Sequence, residues 1–191
     1  MNFKTFNNLI KEDINIYYNL LIGKKTKDKL NIIDFIRIWV KSPVFKLVYF
    51  MRLNFFLRGK KFFLPLFILT RFYYRHLQIK FGVQIGYDLN PGGGFFLGHY
   101  SGIVVHSYSQ IGDNLIIHQG VTIGTTDRGV PKIGNNVTIG ANVCIIGEVI
   151  IGDNCTIGAG SIITKSFANN SVIVGNPARL LRTKAKEEHV F

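Results

Sequence analysis

The chain has 191 residues, of which 47% are hydrophobic and 18% charged, and this composition excludes a disordered chain. Its formal net charge of +12 is unevenly distributed. Residues 1–90 carry 16 basic and 5 acidic side chains, residues 91–191 carry 7 and 6, and 19 of the 25 aromatic residues lie before residue 91. The composition therefore indicates two segments of different character that join near Asn90.

In the first segment, apolar residues recur at helical spacing over residues 5–22 and 30–57. Pro43 predicts a break within the second stretch, followed by a new helix. A further helix is predicted over residues 62–78. We therefore expect residues 1–81 to form a basic, aromatic-rich helical segment.

The basic surface of this segment has three interpretations. The lysines are solvated over a packed apolar core, or they contact anionic lipid at a membrane surface, or they bind nucleic acid. The last is the least favoured, because no nucleic-acid-binding motif accompanies the charge. The lipid interpretation depends on basic residues that flank Phe and Leu: Lys24, Lys25, Lys27, Lys60, Lys61, Arg71 and Arg75.

Sequence signals for membrane insertion or secretion are missing. No run of 18 apolar residues occurs, so no bilayer-spanning helix is predicted. The first 25 residues contain Glu12 and Asp13 and lack a small-residue cleavage site, which argues against a secretion signal. Cys144 and Cys155 form no CxxC pair and are interpreted as reduced thiols. We expect a cytoplasmic protein, either free or at the inner face of the membrane.

The second segment contains an internal repeat. Isoleucine returns every six residues, with one insertion of four residues, at Ile111, Ile117, Ile123, Ile133, Ile139, Ile145, Ile151, Ile157 and Ile163. A period of six fits a short strand plus a turn, and three such units close a coil of about 18 residues. Stacked coils bury columns of isoleucine. We predict a parallel β-helix over residues 82–182, followed by a polar tail over residues 183–191.

Several stretches of this region form a familiar ordered set: Gly98–Val105, His118–Gly124, Pro131–Gly134, Ile157–Ser161 and Gly175–Arg179. The set resembles the hexapeptide-repeat acyltransferases. It is most similar to their serine acetyltransferase branch and to its relatives in exopolysaccharide and capsule synthesis. The resemblance implies a mostly β fold, a left-handed parallel β-helix with an N-terminal α-helical segment.

The resemblance also implies an activity. It implies an acyltransferase that moves acetyl from acetyl-CoA to a hydroxyl, with no metal, in a homotrimer or a dimer of trimers. His99 stands where the family carries its catalytic histidine, and a neutral imidazole can take the proton of a hydroxyl. His118 follows 19 residues later, about one coil further, and is the second catalytic candidate. For His118 and His106 a purely structural role is an equal alternative.

In the resembling family the CoA arm runs along the coil edge, in a groove between neighbouring subunits. By position, small residues line it here: Gly124, Thr125, Ala141, Ala159 and Gly160. Lys165 and Arg179 are candidates for the CoA phosphates, or else are solvated cations. The four inserted residues predict a loop at Thr125–Lys132, whose Asp127 and Arg128 are candidate substrate contacts.

The sequence departs from serine acetyltransferases at three places. Gly98 replaces an aspartate, Leu21-Ile22-Gly23-Lys24 replaces an Asp-Pro-Ala segment, and Val130 replaces a histidine. Because those acids bind the amino group of serine, we expect a sugar hydroxyl of polysaccharide or capsule biosynthesis as acceptor. Serine O-acetylation for cysteine biosynthesis is the alternative.

Two further functions are weighed. The same β-helix hosts zinc-dependent carbonic anhydrases, and His99, His106 and His118 fall within 20 residues. Their spacing differs from that of those enzymes, which makes this function a weak alternative. A trimeric scaffold without catalysis is the other.

Overall fold

The structure is a computed structural model that describes residues 1–23 and 29–185. Four helices come first: α1 (Phe3–Leu21), α2 (Ile32–Lys41), α3 (Phe45–Leu57) and α4 (Leu64–Phe81). A single 3-10 turn, Lys61–Phe63, precedes α4. The break expected at Pro43 separates α2 from α3. None of the described helices is both long and apolar enough to cross a bilayer.

The helix ends follow from local chemistry. The Asn31 side chain accepts hydrogen bonds from the first turn of α2 while Asp34 binds back to the Asn31 N–H, which forms a capping box. Gly82 ends α4 with a positive φ of 62°, a conformation that glycine adopts without strain. The next residue, Val83, already belongs to the first strand.

Short strands then wind around three faces. Sheet 1 contains β1 (Val83–Ile85), β3 (Ile103–Val105), β6 (Thr122–Gly124), β9 (Cys144–Ile146) and β12 (Ile162–Ile163). Sheet 2 contains β4 (Gln110–Ile111), β7 (Lys132–Ile133) and β10 (Ile150–Ile151). Sheet 3 contains β2 (Phe96–Leu97), β5 (Ile116–Ile117), β8 (Thr138–Ile139), β11 (Thr156–Ile157), β13 (Ser171–Val174) and the antiparallel β14 (Arg179–Thr183).

The predicted parallel β-helix behind an N-terminal helical segment is thereby confirmed. All nine repeat isoleucines are buried. They pair in register as three columns, in which Ile117, Ile139 and Ile157 form one example. Each buried isoleucine contributes roughly 1.5–3 kcal/mol of hydrophobic stabilisation, so the columns form the core of the coil.

Asparagines form a second ladder, at one corner of the coil. Asn114, Asn136 and Asn154 have φ of 56–58°, a left-handed conformation that asparagine tolerates better than most residues. Their side-chain amides bond from coil to coil: Asn114 donates to Asn136 at 2.9 Å, and Asn136 donates to Asn154 at 3.1 Å. The corner therefore repeats with the same geometry in successive coils.

Helix α1 covers the open edge of sheet 3. The N–H groups of Phe96 and Gly98 bond to the next coil, so those of Phe95 and Leu97 point the other way. Asp13 accepts the Phe95 N–H at 2.9 Å, and the Tyr17 hydroxyl accepts the Leu97 N–H at 3.1 Å. The first coil therefore has no unpaired N–H at these two positions.

Arg52 of α3 fixes this junction. It forms a buried ion pair with Asp13 at 3.0 Å and donates to the carbonyls of Pro91 and Gly92. Burial raises the pKa of the Asp13 carboxyl, while the Arg52 guanidinium and the Phe95 N–H act against that rise. The helical segment and the coil share one continuous apolar core.

Candidate active site

The residues that follow the strands of sheet 3 stack at one corner of the β-helix. The Gly98 N–H donates to Ile117, the His118 N–H to Ile139, and the Gly140 N–H to Ile157. We call this column the histidine corner and define it by residues 98–99, 118–119, 140–141 and 158–159. It runs from the first coil to the fourth.

His99 and His118 meet at the start of this corner. Their ring centroids lie 5.9 Å apart, with an interplanar angle of 32°. His99 is exposed, whereas His118 is half-buried. Burial, and secondly the charge that His99 can carry, lower the pKa of His118. At neutral pH His118 is therefore held in its neutral form beside an accessible imidazole.

Gly98 leaves room for this pair. A Cβ atom at Gly98 would stand 2.9 Å from His118 Nδ1 and 3.1 Å from its Cε1. The imidazole of His118 therefore occupies the space that a side chain at position 98 would need. A larger side chain at position 98, such as an aspartate, would not fit unless His118 moved.

The predicted CoA-lining residues fall into two groups. Ala141 and Ala159 belong to the histidine corner, and Gly160 follows them at a position where a Cβ would meet nothing within 4 Å. Gly124 ends β6 and Thr125 follows it, at the opposite end of sheet 1. The structure thus places Ala141, Ala159 and Gly160 on the side of the histidines. Gly124 and Thr125 lie away from the histidines.

The two candidate phosphate-binding residues, Arg179 and Lys165, also lie at different places on the coil. Arg179 pairs with Val174, whose Cγ1 lies 2.9 Å from the Cβ position of Gly158, so Arg179 continues the histidine corner at its far end. Four strand spacings separate its strand from that of His118, a distance of about 19 Å. Lys165 follows β12 at the Gly124 end of sheet 1, where its Nζ lies 5.7 Å from the ring of Phe167.

The predicted loop leaves the coil between β6 and β7. Thr126 and Gly129 exchange two backbone hydrogen bonds of 3.2 Å, and the Thr125 hydroxyl donates to the Gly129 carbonyl at 2.8 Å. Asp127 and Arg128 form its exposed tip. Both lie at the Gly124 end of sheet 1, apart from the histidine corner.

The third histidine does not join the other two. His106 follows β3, donates its N–H to Ile123, and accepts the Tyr108 N–H on Nδ1 at 3.4 Å. It therefore stacks with Gly124, at the other end of sheet 1. Among residues 1–23 and 29–185, no three His, Cys, Asp or Glu side chains come together as a metal site requires.

Gln119, beside His118, was not among the site residues predicted from the sequence. Its carbonyl accepts the Asn142 N–H, as the Ser101 carbonyl accepts the Gly120 N–H one coil earlier, and its Oε1 is buried with no hydrogen-bond donor among the described residues. An unpaired buried amide oxygen costs roughly 1–3 kcal/mol. Only the folded coil shows that this oxygen is buried.

The comparisons with known proteins agree with this geometry. A family profile described as "Bacterial transferase hexapeptide (six repeats)" matches residues 131–165. The chain is similar to serine acetyltransferases. Serine acetyltransferase 2 of Arabidopsis thaliana is 35% identical over 59% of this chain and 37% of its own length. The serine acetyltransferase of Staphylococcus xylosus is 38% identical, over 59% of this chain and 51% of its own.

Solved structures of serine acetyltransferases share the fold. That of Neisseria gonorrhoeae has 27% identity and a TM-score of 0.76, and the match covers 96% of this chain and 67% of that one. The same enzyme in complex with serine has 26% identity and a TM-score of 0.73, with 94% and 70% covered. The chain spans 37–51% of the length of the first three curated relatives that it matches.

Proposed function

We propose that this chain is an acetyl-CoA-dependent O-acetyltransferase with His99 as its general base. The observation that carries the proposal is the pairing of an exposed His99 with His118 at the start of a corner of small residues. This pairing occurs in a fold shared with serine acetyltransferases. A zinc enzyme would need a third ligand near the pair, and His106 lies at the other end of sheet 1.

The histidine corner fits the shape of an extended thioester substrate. Gly140, Ala141 and Ala159 have no side chain larger than a methyl group, so an extended molecule can approach the backbone there. A Cβ atom at Gly160 would meet nothing within 4 Å. Arg179 supplies a cation at the far end, suited to a phosphate. Acetyl-CoA, when bound, supplies an activated acetyl group at the histidine end.

His99 would act as base and then as acid. Its free imidazole nitrogen accepts the proton of the acceptor hydroxyl as the oxygen forms a bond to the acetyl carbon. The C–S bond breaks, and the proton on His99 passes to the leaving sulfur, so that ester and free thiol are the products. His118 stays neutral and supports the position of His99. General-base help of this type contributes about 10²–10⁴-fold.

The comparisons favour L-serine as the acceptor. The matched relatives are named serine acetyltransferases, and one matched structure is a complex with serine. This support outweighs the expectation of a polysaccharide acceptor that the sequence alone produced. The proposed acceptor is therefore the serine hydroxyl.

A sugar hydroxyl is the second candidate, because one observation at the site favours it. The His118 imidazole fills the space beside Gly98, where a carboxylate would hold the ammonium group of serine. An imidazole can bond to a neutral hydroxyl but gives an ammonium group little charge compensation. The second candidate thus depends on the position of one ring.

The oligomeric state and the domain bounds are also proposed. We propose a homotrimer, alone or as a dimer of trimers, in which a neighbouring subunit closes the groove along the histidine corner. Residues 1–81 would form the helical segment, residues 82–182 the transferase domain and residues 183–191 a tail, of which 186–191 lie outside the described residues. Because acetyl-CoA is used inside cells, the proposed reaction is cytoplasmic.

An acceptor assay tests the proposal. The purified chain is mixed with acetyl-CoA, and thiol release is followed with L-serine, with sugar nucleotides and with no acceptor. Release that depends on serine supports the first acceptor, and release that depends on a sugar supports the second. A folded protein that transfers acetyl to neither, and that does not bind acetyl-CoA in calorimetry, contradicts the proposed function.

A further inference from the structure

The outer side of α4 is apolar. The helix buries Thr70, Tyr74, Leu77 and Phe81 against the rest of the protein. On the opposite side Phe72 and Ile79 are each 70% exposed. With 3.6 residues per turn, they share a stripe with further exposed residues, namely Pro65, Ile68, Leu69 and His76. We call these six residues the α4 stripe.

An apolar stripe on this scale is unusual for a surface that faces only water. Leu69 is 67% exposed, and Phe62, just before the helix, is 88% exposed. Single exposed apolar residues are common, but contiguous ones mark surfaces that contact something else. The α4 stripe is therefore a candidate contact surface.

Cations border the stripe on its open sides. Arg71 and Arg75 are one turn apart and follow one edge, while Lys80 lies on the other edge. Lys60 and Lys61 stand at the N-terminal end. Residues 59–87 contain these five basic residues and no Asp or Glu. The Arg71 guanidinium stacks on Tyr87 at 4.0 Å, a cation–π contact with a neutral side chain.

We propose that the α4 stripe docks on an anionic lipid surface. Apolar side chains that enter the boundary between headgroups and acyl chains, bordered by Lys and Arg at the level of the headgroups, are the chemistry of an interfacial helix. Each cation near such a surface contributes about 1 kcal/mol. The helix lies in the plane of the membrane and does not cross it.

Charge decides between lipid and a second copy of the chain. If two α4 stripes packed together, Arg71, Arg75 and Lys80 of both copies would meet, and no carboxylate within residues 59–87 could offset them. Asp88, just beyond, already pairs with Arg58. An anionic lipid surface supplies the missing negative charge. This inference does not depend on the acceptor of the proposed reaction.

Vesicle sedimentation tests the proposal with the full chain. Phosphatidylcholine vesicles, with and without phosphatidylglycerol, are spun with the protein at low and high salt. We expect binding that requires the anionic lipid and that weakens with salt. Phe72→Ser should reduce the partition about tenfold or more, because one aromatic side chain no longer enters the interface. Arg75→Gln should reduce it about fivefold.

Matched controls separate lipid docking from general effects. Leu181→Ser removes a similarly exposed apolar side chain (62%) from β14, and Lys132→Gln removes an exposed cation from sheet 2; neither should change the partition. Circular dichroism verifies that every variant is folded, and Ile79→Ser serves as a second stripe variant. Equal binding to neutral vesicles, or equal losses in stripe and control variants, would overturn the proposal. So would Phe72→Ser lowering the oligomer mass in light scattering while vesicle binding persists.

Discussion

The helical segment and the β-helix bury their apolar residues in different ways. In the β-helix the same contact recurs, so that Ile123 stacks on Ile145 and Ile145 on Ile163. In the helical segment each contact occurs once, as in the chain of rings from Trp39 to Phe50 to Tyr73. The coil is stabilised by repetition, and the helices depend on individual partners.

The two regions meet at a few buried polar groups rather than along a broad apolar seam alone. Asp13, Tyr17 and Arg52 bind backbone groups of residues 91–97, directly before His99. The helical segment therefore finishes the first coil of the β-helix. The first coil of the β-helix thus obtains hydrogen-bond partners for its edge from the helical segment.

The largest effect is expected from removing that link. Arg52→Ala leaves the Asp13 carboxyl buried without its cation and removes the donor from two carbonyls. We expect the free energy of unfolding to fall by about 3–5 kcal/mol, measured by urea denaturation. Arg58→Ala breaks the exposed pair with Asp88 and should cost less than about 1 kcal/mol. If Arg52→Ala melted the helices and left the unfolding of the coil unchanged, the two regions would be independent.

The second prediction concerns the regular region alone. His99→Ala should lower acetyl transfer at least 100-fold, because about that much depends on general-base help, while stability is unchanged. The rate of thiol release at saturating acceptor measures it. His106→Ala, at the other end of sheet 1, is the control and should keep its rate. A His99→Ala variant with normal turnover would remove this residue from the mechanism.

A third variant tests the repetition itself. Asn136 has φ of 56° and links Asn114 to Asn154 through its amide. Asn136→Ala should cost about 1–2 kcal/mol, because a Cβ without a local hydrogen bond is strained there. Asn136→Gly keeps the conformation accessible and should cost less, as thermal melting of the two variants would show. Equal losses in both would mean that the amide ladder, and not the backbone, is what stabilises this corner.

The smallest effect is a pH dependence. The pKa of His118 is lowered in the folded protein, so the unfolded chain binds this proton more readily. Stability should therefore fall as the pH drops through about 6.5, the ordinary value for histidine. Urea midpoints at successive pH values measure the slope, and His118→Asn should reduce it. An unchanged slope in that variant would assign the dependence to other groups.

Much of the coil could be predicted because its signal is periodic. Ile111 through Ile163 define three columns without knowledge of any contact, and the four extra residues after Ile123 locate the loop. The helices followed from apolar spacing, with Pro43 marking the break between α2 and α3. Both the helix break at Pro43 and the isoleucine columns follow from backbone geometry over a few neighbouring residues, which the sequence shows directly.

The site was only partly predictable. The six-residue repeat begins at Ile111, so it does not assign residues before that position, such as His99, to a particular corner of the coil. His99 and His118 were expected in adjacent layers, and their rings are 5.9 Å apart. Gly124 and Thr125 were grouped with Ala141 and Ala159, yet they stand at the other end of sheet 1. Gln119 belongs to the His118–Gly124 stretch, but only the folded coil shows that its Oε1 is buried without a donor among the described residues.

The sequence by itself determined the coil, because a six-residue repeat allows few ways to bury its isoleucines. Only the tertiary structure decided which corner holds each histidine, and how α1 and α3 complete the first coil through Asp13 and Arg52. Those contacts join residues about 40 to 80 positions apart. A six-residue period does not indicate which residues so far apart in sequence come into contact. That depends on how the whole chain packs in three dimensions.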